Sequence, residues 1–293
     1  MHLGFIGLGL IGGSIARAVR ANPETASWTM SAWSPSGAGP RQAATDGAID
    51  RAAQSAADAL VDADLVLLAG PPTACLAALD DLAGPWRGSV LETAVFTDVA
   101  STKGAIVERA DATGLRFVGG HPMAGLEVSG FGASRADLFA GRPWVIVPGR
   151  VAQPADVGLV TTLAEACGAR VIQLDAAPHD RAVAAISHLP LVLASALVET
   201  VAGATAASAP EDWSTASLLA ASGWRDMTRL AGGEPAMGAG IAVTNAAALS
   251  DQLRGLEATL ASWREALDRH DGPDESAIRE RLAATKRRLE EAP

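Results

Sequence analysis

Tyrosine is absent from the 293 residues, and cysteine occurs only twice, as Cys75 and Cys167. The first absence removes the phenol as a catalytic acid. The second excludes a disulfide framework and a cysteine-rich metal centre, so no metal site is expected. Basic residues are also scarce: 23 Lys and Arg against 33 Asp and Glu leave a formal charge of −10. That balance offers no broad electrostatic grip on nucleic acid or on an anionic membrane. Uninterrupted apolar runs are short and broken by Asp, Arg and Glu, so no segment is expected to cross a bilayer. The start, Met1 to Gly7, lacks the basic leader and cleavage pattern of a secretory signal, and a cytoplasmic protein is expected.

What remains is globular in character, with 49% hydrophobic and 19% charged residues. The length points to about two domains. Short apolar runs at Leu3–Ile6, Trp28–Trp33, Leu65–Ala69, Val95–Val99, Phe117–Gly119, Trp144–Val147 and Val171–Leu174 read as strands. Helical stretches at Ala52–Leu60, Thr73–Leu82 and Ala155–Cys167 separate several of them, which implies a largely parallel sheet covered on both faces. After Asp175 strand signals cease. Ala- and Leu-rich helical segments follow at His179–Ala204, Trp213–Leu230 and Ala236–Leu267, and a charged helix closes at Asp274–Glu291. The expected domains are therefore residues 1–175 and 176–293.

Gly7-x-Gly9-x-x-Gly12 follows the first strand and opens a helix. In that context the first glycine permits a tight turn, the second lets a pyrophosphate approach, and the third allows close helix–strand packing. The helix start supplies free N–H groups to the phosphates. Leu10 and Ile11 in that first turn, and Pro71 beyond the third long strand, complete the candidate dinucleotide-binding set. An NAD site usually has a carboxylate after the second strand to hold the ribose hydroxyls. Here Ser34 stands there, and Ser36 and Arg41 follow as candidates for a 2′-phosphate, so NAD and NADP both stay open.

Ligands of open parallel sheets collect at the carboxyl ends of the strands. Polar clusters fall there at 97–104 and 119–125, and a third lies in the helical half at 223–231. Taken together, GLGLIGGS at 7–14, TDVASTKG at 97–104, HPMAG at 121–125, HDR at 179–181, SHLP at 187–190 and GWRDMTRLA at 223–231 resemble the prephenate/arogenate dehydrogenase family of tyrosine biosynthesis. The resemblance implies an α/β N-terminal Rossmann-like domain followed by an all-α C-terminal domain that forms a homodimer, with the site in the cleft between them. The reaction implied is an NAD(P)-dependent oxidative decarboxylation of a cyclohexadienol dicarboxylate.

Such a reaction needs a base at the ring hydroxyl, and histidine titrates in the useful range. By the resemblance His121 is that base, and Ser101 hydrogen-bonds the same hydroxyl. Read without it, His121 ties down a loop and Ser101 is a helix N-cap. Arg229 is the candidate clamp for the ring carboxylate, its guanidinium offering a bidentate fork; a salt bridge with Asp226 is the plainer role. Asp226, His179 and His188 are further candidates for the substrate cleft. One position departs from the family pattern: Leu191 follows the HLP triplet where many members carry histidine. Prephenate is the first choice of substrate, with arogenate and 4-amino-4-deoxyprephenate as alternatives. A related Rossmann dehydrogenase of other substrate class and a silent nucleotide-binding sensor or scaffold are the competing readings. Fusion to a chorismate mutase segment or a regulatory domain is not expected.

Overall fold

The structure, a computed structural model, describes residues 1–126, 128–205 and 208–291. Its centre is a sheet of strands β1 (His2–Ile6), β2 (Thr29–Trp33), β3 (Arg51–Ala52), β4 (Leu65–Leu68), β5 (Val95–Asp98), β6 (Phe117–Pro122), β7 (Pro143–Pro148) and β8 (Arg170–Gln173), ordered 3-2-1-4-5-6-7-8. Strands β1 to β6 run parallel, β7 turns antiparallel to β6, and β8 follows β7 in parallel. This is the Rossmann-like, mostly parallel α/β arrangement expected. The two-residue β3 was not visible in the sequence, being too short for any periodicity to register.

Helices α1 (Leu10–Ala21), α2 (Ala38–Thr45), α3 (Ala56–Leu60), α4 (Pro72–Ala83), α5 (Gly104–Thr113) and α6 (Pro154–Ala166) cover both faces. Successive side chains of a strand point to opposite faces. Accordingly Leu65 and Leu67 of β4 join one core with Phe5, Ile15 and Leu163, whereas Val66 and Leu68 join another with Leu79, Ile106 and Phe117. Burial on both faces explains why β4 reads as a continuous apolar run. The stretch expected to be helical from Ala52 starts only at Ala56, where the Ser55 hydroxyl caps α3 by accepting from the Asp58 N–H at 3.1 Å.

Beyond β8 the chain is helical, as expected: α7 (Ala176–Val183), a π-helical turn (Ala184–His188), α8 (Leu189–Ala202), α9 (Trp213–Leu219), α10 (Ser222–Thr228), a 3₁₀ turn (Arg229–Gly232), α11 (Pro235–Thr244), α12 (Ala246–Leu267) and α13 (Glu275–Glu290). The run Ala176–Ala202 is a single 27-residue helix, long and apolar enough by length and composition to cross a membrane. Pro190 does not interrupt it. It falls in the turn after the π segment, where the displaced backbone pattern leaves no N–H to be missed. The helix carries buried His179, Asp180 and His188, and it packs through α7 against α5 of the same unit.

By contacts the chain divides into two compact units, Met1–Ala246 and Ala247–Pro293. The first holds the sheet and the helices up to α11. In the second, the Arg281 guanidinium lies 4.1 Å from the Trp263 ring centroid, and the Asp274 carboxylate caps α13 by accepting from the Ala277 N–H at 3.0 Å.

Candidate active site

At the carboxyl end of β1 the chain turns through Gly7, whose φ is 93°. A Cβ there would stand 2.8 Å from the Ala69 carbonyl oxygen beyond β4, so only glycine fits. A Cβ on Gly12 would meet Ala69 at 3.1 Å, the helix–strand packing expected of the third glycine. Over Gly9 there is nothing within 4 Å, which leaves the open space a pyrophosphate needs. Gly9 also caps α1 without a side chain, so the first-turn N–H groups of Leu10 and Ile11 are left for a ligand. A cavity of about 650 Å³ adjoins the turn, lined among others by Gly7, Gly9, Ser34, Ser36 and Pro71. The residues present therefore fit a dinucleotide. Leu10, Ile11 and Gly12 do not line this cavity; Leu10 is buried in the core instead.

The ends of β5 and β6 meet around a fully buried ion pair. The Lys103 ammonium contacts the Asp98 carboxylate and donates to the Gly120 carbonyl at 2.7 Å. Asp98 in turn accepts from the Gly120 and Ala100 N–H groups at 3.0 Å. Burial pushes the Asp98 carboxyl up, and the Lys103 charge and these hydrogen bonds oppose it. A Cβ on Gly120 would fall 2.4 Å from the Asp98 carbonyl oxygen, so glycine is needed to bring these strand ends together. One residue beyond each strand-end contact stand the two catalytic candidates, Ser101 after Ala100 and His121 after Gly120. The Ser101 hydroxyl is buried and has no partner among the described residues. It is not a helix cap: α5 begins after Lys103, and its first N–H groups are capped from another helix.

That cap is Asp180. Its Oδ1 accepts from the Lys103 N–H and its Oδ2 from the Gly104 N–H, both at 2.8 Å. The same Oδ1 accepts from His179 Nδ1 at 2.8 Å, and His179 Nε2 lies 2.9 Å from His121 Nδ1. Burial alone would raise the Asp180 carboxyl, but the His179 and backbone hydrogen bonds hold it below the usual carboxylate range. An ionised carboxylate only accepts, so His179 Nδ1 carries a proton and, in the neutral ring, Nε2 presents a lone pair. With His179 neutral, His121 donates from Nδ1, which leaves its own Nε2 unprotonated. Burial first, then the neighbouring His179, Lys103 and His188, holds the His121 ring well below the usual histidine value. The result is a neutral imidazole with a fixed lone pair.

His188 closes the π turn and is 1% exposed. The extra residue of that turn rotates α8 by about 100° relative to an unbroken α-helix. Asn245, just past α11, lies within 3.1 Å of His188 Nδ1 and donates to the Asp180 carbonyl at 2.8 Å. Beside it Thr244 bonds Thr102 at 2.8 Å, pinning the end of α11 to the loop that carries Ser101. The structure thus brings His121, His179, His188 and Ser101 into one neighbourhood. Arg229 and Asp226 are not part of that buried network; they are exposed, on the turn after α10 and on α10 itself. Asn245 gave no sequence signal, lying inside an alanine-rich helical stretch. Asp180 sat within the HDR triplet but was not singled out.

Family models match both parts of the chain: the prephenate dehydrogenase nucleotide-binding domain over residues 15–173 and the prephenate dehydrogenase dimerization domain over residues 175–282. The chain belongs to the prephenate dehydrogenase family. It is 30% identical over 276 residues to a cyclohexadienyl dehydrogenase of Zymomonas mobilis, covering 92% of this chain and 90% of that protein. It is 31% identical over 246 residues to a prephenate dehydrogenase of Bacillus subtilis, of whose length the match spans 60%. Among solved structures, prephenate dehydrogenase from A. aeolicus in complex with hydroxyphenyl propionate and NAD+ superposes with a TM-score of 0.84 at 26% identity, covering 99% of this chain and 98% of that one. The resemblance seen in the motifs holds along the chain.

Proposed function

We propose that this chain is a dehydrogenase that oxidatively decarboxylates prephenate to 4-hydroxyphenylpyruvate, with NAD(P) as acceptor, in tyrosine biosynthesis. The observation that carries the reading is the Asp180–His179–His121 chain, which leaves a neutral lone pair on His121 Nε2. A base of that kind takes the proton of the substrate hydroxyl. NAD(P), when bound, supplies the hydride acceptor for the carbinol carbon, and carbon dioxide leaves as the ring becomes aromatic. The unpartnered Ser101 hydroxyl orients the same substrate hydroxyl, and Arg229 takes the ring carboxylate. His179, His188 and Asp226 complete the substrate side. Gly7, Gly9, Leu10, Ile11, Gly12 and Pro71 hold the cofactor.

On the cofactor, NADP is favoured over NAD. Ser34 and Ser36 line the cavity where a ribose-binding carboxylate would stand. Arg41 folds over Gly37, donates to the Ser36 carbonyl at 3.2 Å and meets no carboxylate among the described residues. A 2′-phosphate would complete that arrangement. Arogenate is the second reading of the substrate, on the ground that Leu191 replaces a polar contact at the start of α8. The proposed domains are a nucleotide-binding part, 1–175, and a helical part, 176–293, that pairs two copies of this chain in a cytoplasmic homodimer. Support for the pairing comes from α8, which is almost wholly apolar yet buries only Ala194.

An assay crossing prephenate and arogenate with NAD and NADP tests these statements together. Turnover of prephenate with NADP ahead of NAD is expected. Turnover of neither substrate overturns the functional reading, and a strong NAD preference overturns the role given to Ser34, Ser36 and Arg41.

A further inference from the structure

His121 and His188 both answer to Asp180, but through different atoms. The Asp180 carboxylate reaches His121 by way of His179. Its backbone carbonyl reaches His188 by way of Asn245. A carbonyl oxygen can only accept, so the Asn245 amide must turn its NH₂ group toward Asp180, where Nδ2 lies at 2.8 Å. The second hydrogen of that NH₂ faces His188 Nδ1 at 3.1 Å. His188 Nδ1 must therefore accept, and the ring proton sits on Nε2. That Nε2 is buried and has no partner among the described residues, in a side chain 1% exposed.

We propose that Asn245 is a positioning residue that fixes His188 as a neutral Nε2–H donor, so that Asp180 sets the two site histidines at opposite polarity. Its carboxylate leaves His121 with a lone pair for a proton, and its carbonyl leaves His188 with a proton for a lone pair. A buried donor without an acceptor costs free energy, and such a group in a native site marks where a ligand or water belongs. The acceptor that satisfies His188 is an oxygen of the substrate; this last step rests on the dehydrogenase reading, whereas the tautomers do not. The neighbouring charges agree with a neutral ring. Burial, with His179 adding to it and Asp180 opposing, lowers His188 to about 4. Protonation at Nδ1 would also set an N–H against the Asn245 NH₂.

Asn245 could not be found by looking for catalytic residue types. It makes no hydrogen bond to the glycine turn or to His121 among the described residues, and it enters because α11 ends against Thr102 and Asp180. Opposite tautomers let one ring accept a proton while the other donates a hydrogen bond.

The test is nitrogen NMR of the full-length protein labelled with ¹⁵N-histidine, which reads ring tautomers without any substrate. The expected wild-type spectrum at neutral pH shows His121 protonated on Nδ1 and His188 protonated on Nε2. In Asn245→Ala a second, Nδ1-protonated form of His188 should appear, while His121 keeps its tautomer. Kinetically the variant should raise KM for the cyclohexadienol about two- to tenfold, the share of one hydrogen bond, with kcat held. A wild-type His188 carrying its proton on Nδ1 overturns the proposal, and so does an Asn245→Ala spectrum identical to wild type. The wild-type spectrum decides the tautomers even if the variant does not fold. A protein with the expected tautomers but no turnover would refute the dehydrogenase reading and leave this inference standing.

Discussion

The two regions that carry the candidate residues are built on opposite principles. In the buried network, Asp98, Lys103 and His121 at the strand ends and His179, Asp180 and His188 on the helix after β8 are all buried, and nearly every polar atom has a partner fixed by a strand end or a helix start. On the helical side, α9 and α10 bury no residue, Leu218 and Leu219 are 86% and 77% exposed, and Arg229 and Asp226 face outward. Buried polar networks hold geometry because any unmade hydrogen bond is expensive in a low dielectric. The buried network is therefore preorganised within one copy of the chain.

The largest effect should come from the heart of the ordered side. His121→Asn removes the basic ring nitrogen while leaving the strand and the glycine turn intact, so turnover should fall by about 10²- to 10⁴-fold. Binding of NADP, followed by fluorescence of the reduced form, should be almost unchanged. Wild-type-like turnover would show that the Asp180–His179–His121 chain is scaffolding alone. Next in size is Lys103→Met, which leaves the Asp98 carboxylate buried without its cation. Urea unfolding should report a loss of about 3–5 kcal/mol. Part of that loss should be regained as pH falls, because a protonated Asp98 carries no charge to bury. A loss within experimental error at neutral pH would mean that the two strand ends hold together without the pair.

The ordered side was also the more legible one, and for a physical reason. A parallel strand buried on both faces must be apolar throughout, so β1, β4 and β5 announced themselves, as did the glycines that Ala69 and Asp98 leave no room to replace. Ser101 and His121 stood out through the TDVASTKG and HPMAG motifs, since strand-end position alone fitted a helix cap and a loop tie equally well. Lys103 reads from the sequence as an anchor for the loop or an anion, or as a solvated lysine. Nothing in the sequence says that its ammonium reaches back to Asp98 and Gly120, since that depends on two strands lying side by side. Asn245 and the π turn at Ala184–His188 were hidden for the same reason. The stretch Trp213–Leu230 reads as one helix but breaks into α9, α10 and a 3₁₀ turn, since alanine bias masks the interruptions.

The helical side provides the sharper version of the contrast. If Arg229 clamps the ring carboxylate, Arg229→Ala should raise KM by the equivalent of about 2–5 kcal/mol while kcat changes little. Stability should be nearly untouched, since an exposed arginine contributes little to folding. The opposite pattern, a large loss of stability with an unchanged KM, would return Arg229 to a purely structural ion pair and make the two sides alike.

The smallest effect is a pH dependence written into the buried histidines. His188 is held at about 4 by burial, and His121 is also held below its ordinary value. An unfolded chain titrates its histidines near 6.5. Between those limits the unfolded chain binds protons that the folded one refuses, so stability rises with pH across the window. It is present in full above about 6.5 and drains away as pH falls toward about 4. Asp180 adds nothing there, because its lowered carboxyl gives up stability only below the ordinary carboxylate value. Urea midpoints measured from pH 7.5 to 4.5 should therefore decline more gently in His188→Gln than in the parent protein, by less than one proton's share of slope. Parallel declines in the two proteins would place the His188 titration in the folded state near that of the unfolded chain and remove burial as the force that holds it down.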